Sequence, residues 1–157
     1  MPLAKNKISK LIDRLLAASG WLEIEKVVSE FEQAFGPKDV RSVPALIGML
    51  AQRNAWLRSA AAIALGAIGP AANQAVPHLV PALRDKDAQV RHDAAIALKQ
   101  IRPQDPDVIR RLFRRLLDDD DEVQAAAEEA LVEILKDYKG PDAGRFKRRL
   151  MIWRGDW

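Results

Sequence analysis

The chain has 157 residues, 48% of them apolar and 30% charged, with a net charge of +3 and no cysteine. That length supports one domain with a real core, and the balance of apolar to charged residues is that of a well-folded soluble chain. Without thiols there are no disulfides, zinc–thiolate sites or cysteine nucleophiles, and two histidines leave little for a metal centre, so no cofactor is expected.

No run approaches the roughly 18 apolar residues of a membrane span, and the opening MPLAKNKISKLIDRLLAASG lacks the unbroken apolar stretch of a signal peptide. A cytoplasmic protein with no membrane span is predicted. Its charge is unevenly placed. Lys139 to Trp157 holds six Lys or Arg against two Asp or Glu, a net +4, and the rest of the chain sums to −1.

Apolar positions recur every 33 residues without a gap. Leu57, Val90 and Val123 fall on this step, as do Ala61, Ala94 and Ala127; Ala64, Ala97 and Ala130; and Leu65, Leu98 and Leu131. Leu46, Leu79 and Leu112 share it, and so do Pro37, Pro70 and Pro103. Each unit carries two helical patterns.

In chain order, residues 7–36 make a divergent first unit. Ile24, Val28, Phe31 and Phe35 stand where later units have Leu57, Ala61, Ala64 and Ile68, and Leu11, Ile12, Leu15 and Leu16 match only after a one-residue slip. Larger side chains suit an end unit with no neighbour on one side. Residues 37–69, 70–102 and 103–138 are the regular units. Their first helices begin near Pro44 or Pro77, where a missing N–H costs nothing, and Pro81 is expected to kink its helix. Their second helices begin at Asn54, Asp87 or Asp120, residues able to cap a first turn. Gly69 and Pro70 then turn the chain into the next unit. Residues 141–157 form a last helix.

The segments DKDAQVRHDAAIALKQI and WLRSAAAIALGAIGPAANQAVPHLVPAL resemble HEAT repeats, specifically the short bacterial kind similar to phycobilisome lyase. The resemblance is strong over about residues 37–135 and weak outside them. A 33-residue period also suits ankyrin and tetratricopeptide arrays, but the T-P-L-H turn and the W…LG…Y pattern of those families are missing. The D-x-x-V-R start of a second helix is present at Asp87 to Arg91, while Asn54 and Gln124 depart from it in the neighbouring units. The resemblance implies an all-α fold, a right-handed α-solenoid of four stacked helix pairs with a C-terminal capping helix. It also implies that second helices line a concave side where partners bind.

With Val90 and its equivalents as zero, positions −1, +2 and +6 point away from the core stripe at about 100° per residue. Position +6 reads Glu30, Ile63, Ile96, Glu129; position −1 reads Glu23, Trp56, Gln89, Glu122; position +2 reads Lys26, Ser59, His92, Ala125. Trp56, Ile63, His92 and Ile96 thus form a candidate partner-binding patch between acidic ends, unless curvature or the tail covers it. Burying one tryptophan and two isoleucines from full exposure would supply roughly 5–8 kcal/mol gross.

Arg58 and Arg91 are expected to hold acids of the adjacent unit, such as Asp87 and Asp120. His92 has no second histidine at metal spacing, since His78 lies on the other helix of its pair. Asp118 to Glu122 reads DDDDE but fails the calcium-loop rule, with Val123 in the place of the turn glycine. Arg110, Arg111, Arg114 and Arg115 surround a first helix as a solvated face or a patch for an acidic partner. In the tail, Phe146, Leu150, Trp153 and Trp157 make one narrow stripe. Either it caps the solenoid, or Arg145, Lys147, Arg148, Arg149, Trp153 and Arg154 dock on nucleic acid, a membrane surface or a protein.

No glycine-rich phosphate loop, paired carboxylates or His-Glu iron set stands out. The sequence therefore predicts no enzyme and no small-molecule substrate. It predicts a non-catalytic module that binds another protein on the concave surface, with nucleic-acid or acidic-surface binding through the basic tail as the alternative.

Overall fold

Two properties of the second helices in the three regular units set the architecture: each starts at a side chain that caps it, and each buries alanine. The computed structural model describes residues 2–156; the side chains of residues 2–6, Trp21 and Glu32 lie outside that description, as does Trp157, the last member of the expected tail stripe. Helices α1 (Pro2–Ala17) and α2 (Trp21–Ala34), α3 (Val43–Leu50) and α4 (Ala55–Ile68), α5 (Val76–Ala82) and α6 (Ala88–Ile101), and α7 (Pro106–Arg115) and α8 (Asp121–Asp137) pair in order, and α9 (Ala143–Arg154) comes last. Turns of 3-10 helix at Val40–Ser42 and Gly69–Ala75 lead into α3 and α5. No strand occurs among the described residues. This is an all-α solenoid.

The caps are direct. Asn54 Oδ1 accepts the Trp56 N–H at 2.8 Å, Asp87 accepts the Val90 N–H at 3.3 Å, and Asp120 accepts those of Glu122 and Val123 at 3.0 and 3.1 Å. Each satisfies donors that the first turn leaves open. From these starts, α4 packs along α6, α6 along α8, and α2 along α4, while α1, α3, α5 and α7 rest mainly on their own second helices. Neighbouring first helices touch sparsely.

Side-chain size explains the difference between the rows. Ala60, Ala61, Ala62 and Ala64 of α4, Ala94, Ala95 and Ala97 of α6, and Ala126, Ala127 and Ala130 of α8 are all buried. At Gly66 a methyl group would sit 3.0 Å from the Ala97 Cα and collide with Gln100. The first helices carry Leu46, Leu79, Ile109 and Leu112 into the core instead. Larger residues hold that row apart.

Arg58 and Arg91 stitch the stack, but not to the acids that the sequence suggests. Arg58 forks onto Asp85 with two bonds of 2.7 Å, and Arg91 reaches Asp118 and Asp119 at 2.7 Å. Asp87 and Asp120 are already engaged as caps, so the partner acid lies two residues earlier. Each arginine also donates to a carbonyl six residues before it, Arg58 to Gln52 at 2.9 Å and Arg91 to Asp85 at 3.0 Å. Gln124 occupies the same position in α8 and keeps only that local bond, to the Asp118 carbonyl at 2.7 Å. Asp118, buried between Arg91 and Arg115, is thereby an ion-pair partner in the DDDDE segment.

Other joints are smaller. Gly69 ends α4 with φ 72°, whereas Arg102 ends α6 with φ 56° and binds Glu133 and Asp137 of α8. A non-glycine residue there accepts some backbone strain in exchange for a cross-helix ion pair. Pro81, where a kink is expected, lies one residue before α5 ends at Ala82, and the Leu83 N–H still reaches the Leu79 carbonyl at 3.3 Å. In a last turn, the missing N–H costs only one bond. The stretch Ala55–Ala82 is long and apolar enough to cross a membrane by length and composition, yet it is broken at Gly69 and mostly buried within the solenoid.

The two ends are closed differently. In the first pair, Arg14 grips Glu30, Lys7 lies 4.9 Å from the Phe35 ring centroid, and Phe31 and Phe35 stack at 6.2 Å. At the other end, Phe146 and Leu150 of α9 are buried, with Phe146 against Phe113 at 6.1 Å and Tyr138 at 6.0 Å. The Tyr138 hydroxyl donates to the Pro141 carbonyl at 3.1 Å, and its ring lies so close over Gly140 that a Cβ there would overlap it. The stripe expected to continue through Trp153 stops at Leu150. Among the described residues, ring contacts hold only the first two turns of α9, and Trp153 is 41% exposed.

Arg91→Gln should cost about 2–4 kcal/mol in urea denaturation, because it leaves Asp118 and two carbonyls short of donors in a buried setting. A loss below about 0.5 kcal/mol would mean that apolar packing alone carries the joint. Stability should also fall in acid. Burial by itself would raise the pKa of Asp85 and Asp118, but hydrogen bonds from Arg58 and Arg91 hold both below their ordinary 3.8. Their contribution is therefore full above the unfolded value and is lost as pH drops through the lower folded values. Thermal melts from about pH 5 to pH 2 should show that decline, and Asp118→Asn should flatten it.

Candidate functional site

The outward side of the second-helix row is where the sequence places its candidate residues. Trp56 in the first turn of α4 and Ile63 two turns on share one face, with His92 and Ile96 on the adjacent α6. All four are half-buried. Trp56 and Ile96 also pack against the core, so they serve the fold as well as the surface. The apolar area left to cover is smaller than full exposure would give. Covering it supplies about 2–4 kcal/mol gross, below the sequence expectation.

Position +2 does not face outward in every unit. Ser59 is buried where α6 lies over it, His92 keeps 30% of its side chain exposed, and Ala125 is exposed. Beneath the patch is a group that the sequence reading overlooked. Asp93 is 5% exposed and accepts from Ser59 Oγ, from Gln89 Nε2 at 3.0 Å, and from His92 Nδ1 at 2.9 Å. Its signal was available: Asp93 stands on the 33-residue step between Ala60 and Ala126. A carboxylate in an alanine column needs partners.

The hydrogen bond to Asp93 raises the His92 pKa above its ordinary 6.5, against an opposing effect of burial and with help from Glu122 and Asp120. An imidazolium here donates Nδ1–H to Asp93 and keeps Nε2–H for a partner's acceptor. This arrangement is not a nucleophile relay. The Ser59 hydroxyl donates to the carboxylate instead of to the imidazole, and it is buried.

The acidic rim is weaker than its sequence implies. Glu30 is gripped by Arg14 and Glu129 by Lys99 at 2.8 Å, and both carboxyls are held below their ordinary range by those hydrogen bonds. Glu23 accepts from the Ser19 backbone N–H at 3.0 Å. A concavity of about 630 Å³ lies further along, between α6, α8 and the end of α9, and includes none of Trp56, Ile63, His92 or Ile96. Its charges pair internally, as Lys99–Glu129, Arg102–Glu133 and Arg154–Glu128.

The tail residues divide. Arg149 lies 4.6 Å from the Phe113 ring centroid, and Arg154 binds Glu128 and Asp156, so these two hold α9 in place. Arg145, Lys147 and Arg148 are exposed, as is Trp153. Met151 and Ile152, which the sequence reading did not select, stand exposed beside it at 52% and 50%.

Helix pairs stacked through their second members define an α-solenoid repeat protein. The chain belongs to the HEAT-repeat family: the model for HEAT repeats matches residues 43–132, more than half its length. That match is to HEAT repeats as a class. Two solved structures share the architecture, both crystal structures of engineered proteins from the Northeast Structural Genomics Consortium. One is 24% identical with a TM-score of 0.64, over 92% of this chain and 68% of its own; the other is 20% identical with a TM-score of 0.61, over 90% and 68%. At that identity the likeness is one of fold. No curated protein matches the chain.

In a proton-detected or carbon NMR titration, the His92 imidazole should change charge above pH 6.5, and Asp93→Asn should lower that midpoint. A raised folded pKa adds stability that is full below the unfolded value and disappears as pH rises through the folded one. If the midpoint does not move in the variant, Asp93 is not the group that holds the proton.

Proposed function

We propose that the chain is a non-catalytic interaction module that binds another protein across α4 and α6, through Trp56, Ile63, His92 and Ile96. The observation that carries the reading is the half-buried apolar pair Ile63 and Ile96 beside Trp56 on the second-helix row, with His92 available to orient a partner. A tryptophan with aliphatic neighbours is the kind of anchor on which binding energy concentrates. About 2–4 kcal/mol gross from this patch supports a modest complex, so a partner must add contacts along the row.

A second reading is favoured by α9. Arg145, Lys147 and Arg148 are exposed and hold no carboxylate among the described residues, and they share a helix with exposed Met151, Ile152 and Trp153. A basic helix with an apolar edge suits nucleic acid or another acidic surface.

Ile63 is the cleanest probe, because among the described residues it is not one of the half-buried apolar side chains packed against the core. Ile63→Glu should reduce capture of a protein partner by about tenfold or more while the melting temperature stays within about 3 °C of wild type. A large drop in melting temperature would reassign Ile63 to the core and remove the site. Salt separates the two readings: nucleic acid held by several basic residues washes off as salt rises, whereas an apolar contact persists. Capture of nucleic acid that is salt-sensitive and indifferent to Ile63→Glu would move the function to α9.

A further inference from the structure

We infer that the cleft between α5 and α7, on the first-helix row and independent of the partner face proposed above, is a binding site for a phosphoryl group. Its volume is about 200 Å³, and it is lined by Val80, Leu83, Arg84, Arg111, Arg114 and Arg115. Arg111, Arg114 and Arg115 stand at i, i+3 and i+4, so α7 presents them on one face. Arg84 enters from the opposite wall, in the turn after α5, where its backbone N–H is bonded to the Pro81 carbonyl at 2.9 Å. Buried Leu83 and half-buried Val80 supply an apolar floor.

The charge balance of this cleft differs from that of the rest of the stack. Arg14, Arg58, Arg91, Arg102 and Arg154 each hold a carboxylate on another helix or turn. Arg110, on α7 itself, turns the other way, toward Asp107, Asp142 and the Phe146 ring. Of the four arginines that line the cleft, only Arg115 is paired among the described residues, with Asp118 at 2.9 Å. No carboxylate among the described residues pairs with Arg84, Arg111 or Arg114. Cationic forks gathered around one apolar floor repel one another until an anion joins them.

The shape and charge indicate which anion. Guanidinium forks match the oxygens of phosphate and carboxylate, and a phosphoryl group offers about three oxygens and nearly two charges to several forks at once. A single carboxylate would engage only one or two of them. At about 200 Å³ the cleft is smaller than the roughly 300–1,000 Å³ typical of sites that enclose a drug-sized ligand. It accepts a phosphoryl or diphosphoryl group and leaves whatever carries that group outside.

Isothermal titration of the full chain with sodium pyrophosphate at low salt tests this. Saturable binding is expected, weakened about tenfold or more in an Arg111→Gln/Arg114→Gln variant and changed by less than about twofold in an Arg145→Gln/Arg148→Gln control of equal charge. Because Arg111 and Arg114 hold no carboxylate, the first variant should melt as wild type does. Arg84→Gln, from the other wall, should weaken binding as well. A phosphoserine peptide that displaces pyrophosphate would identify a protein-borne phosphoryl group as an accepted ligand, and failure to displace it would identify a free anion. Equal weakening in both double variants, or no saturation up to about 10 mM, would overturn the site.

Discussion

A helix whose buried stripe is alanine has no side chain long enough to hold its neighbour away. In this chain that stripe runs through α4, α6 and α8, and the closeness of these helices decides much of what surrounds them. Ser59 is buried because α6 lies over it, and Asp93 is buried with it, so the two must satisfy each other. Arg58 and Arg91 can reach across to the next unit because the units lie close together. The first helices, which carry leucine and isoleucine into the core, stay further apart. The cleft between α5 and α7 is the counterpart, on the first-helix row, of the close packing along the second.

The helix pairs were legible in the sequence because they depend on local chemistry. Asn54, Asp87 and Asp120 cap the helices that begin beside them, and the alanine columns recur at a fixed step, so start, face and stacking partner can all be read without coordinates. Tertiary pairing was less legible. The sequence pattern gave Asp87 and Asp120 two incompatible tasks, capping and holding an arginine, and one carboxylate at a helix start is already taken. The neutralisation of Glu30 by Arg14 and of Glu129 by Lys99 depends on which long side chains meet between helices, and a pattern of faces does not specify that.

The candidate patch was half legible for a related reason. Projection onto a helical wheel finds which residues leave the core stripe, but not how far a neighbouring helix reaches over them. Trp56 and Ile96 therefore turn out to share their area between core and surface. Asp93 could have been found from its place in an alanine column. The meeting of Arg84 with Arg111, Arg114 and Arg115 could not, since residues from different elements converge there off the repeat step.

The arginine clamps run in one direction, and that gives the stack uneven stiffness. Arg58 ties α4 to the turn before α6, and Arg91 ties α6 to the turn before α8. Gln124 keeps the local bond and reaches no further, and Glu25 stands in the arginine's place in α2. Among the described residues no ion pair crosses from α2 to α4. The two middle joints are braced by buried ion pairs. For the partner proposed on α4 and α6, such bracing holds the seat in shape and removes the ordering of the seat from the cost of binding.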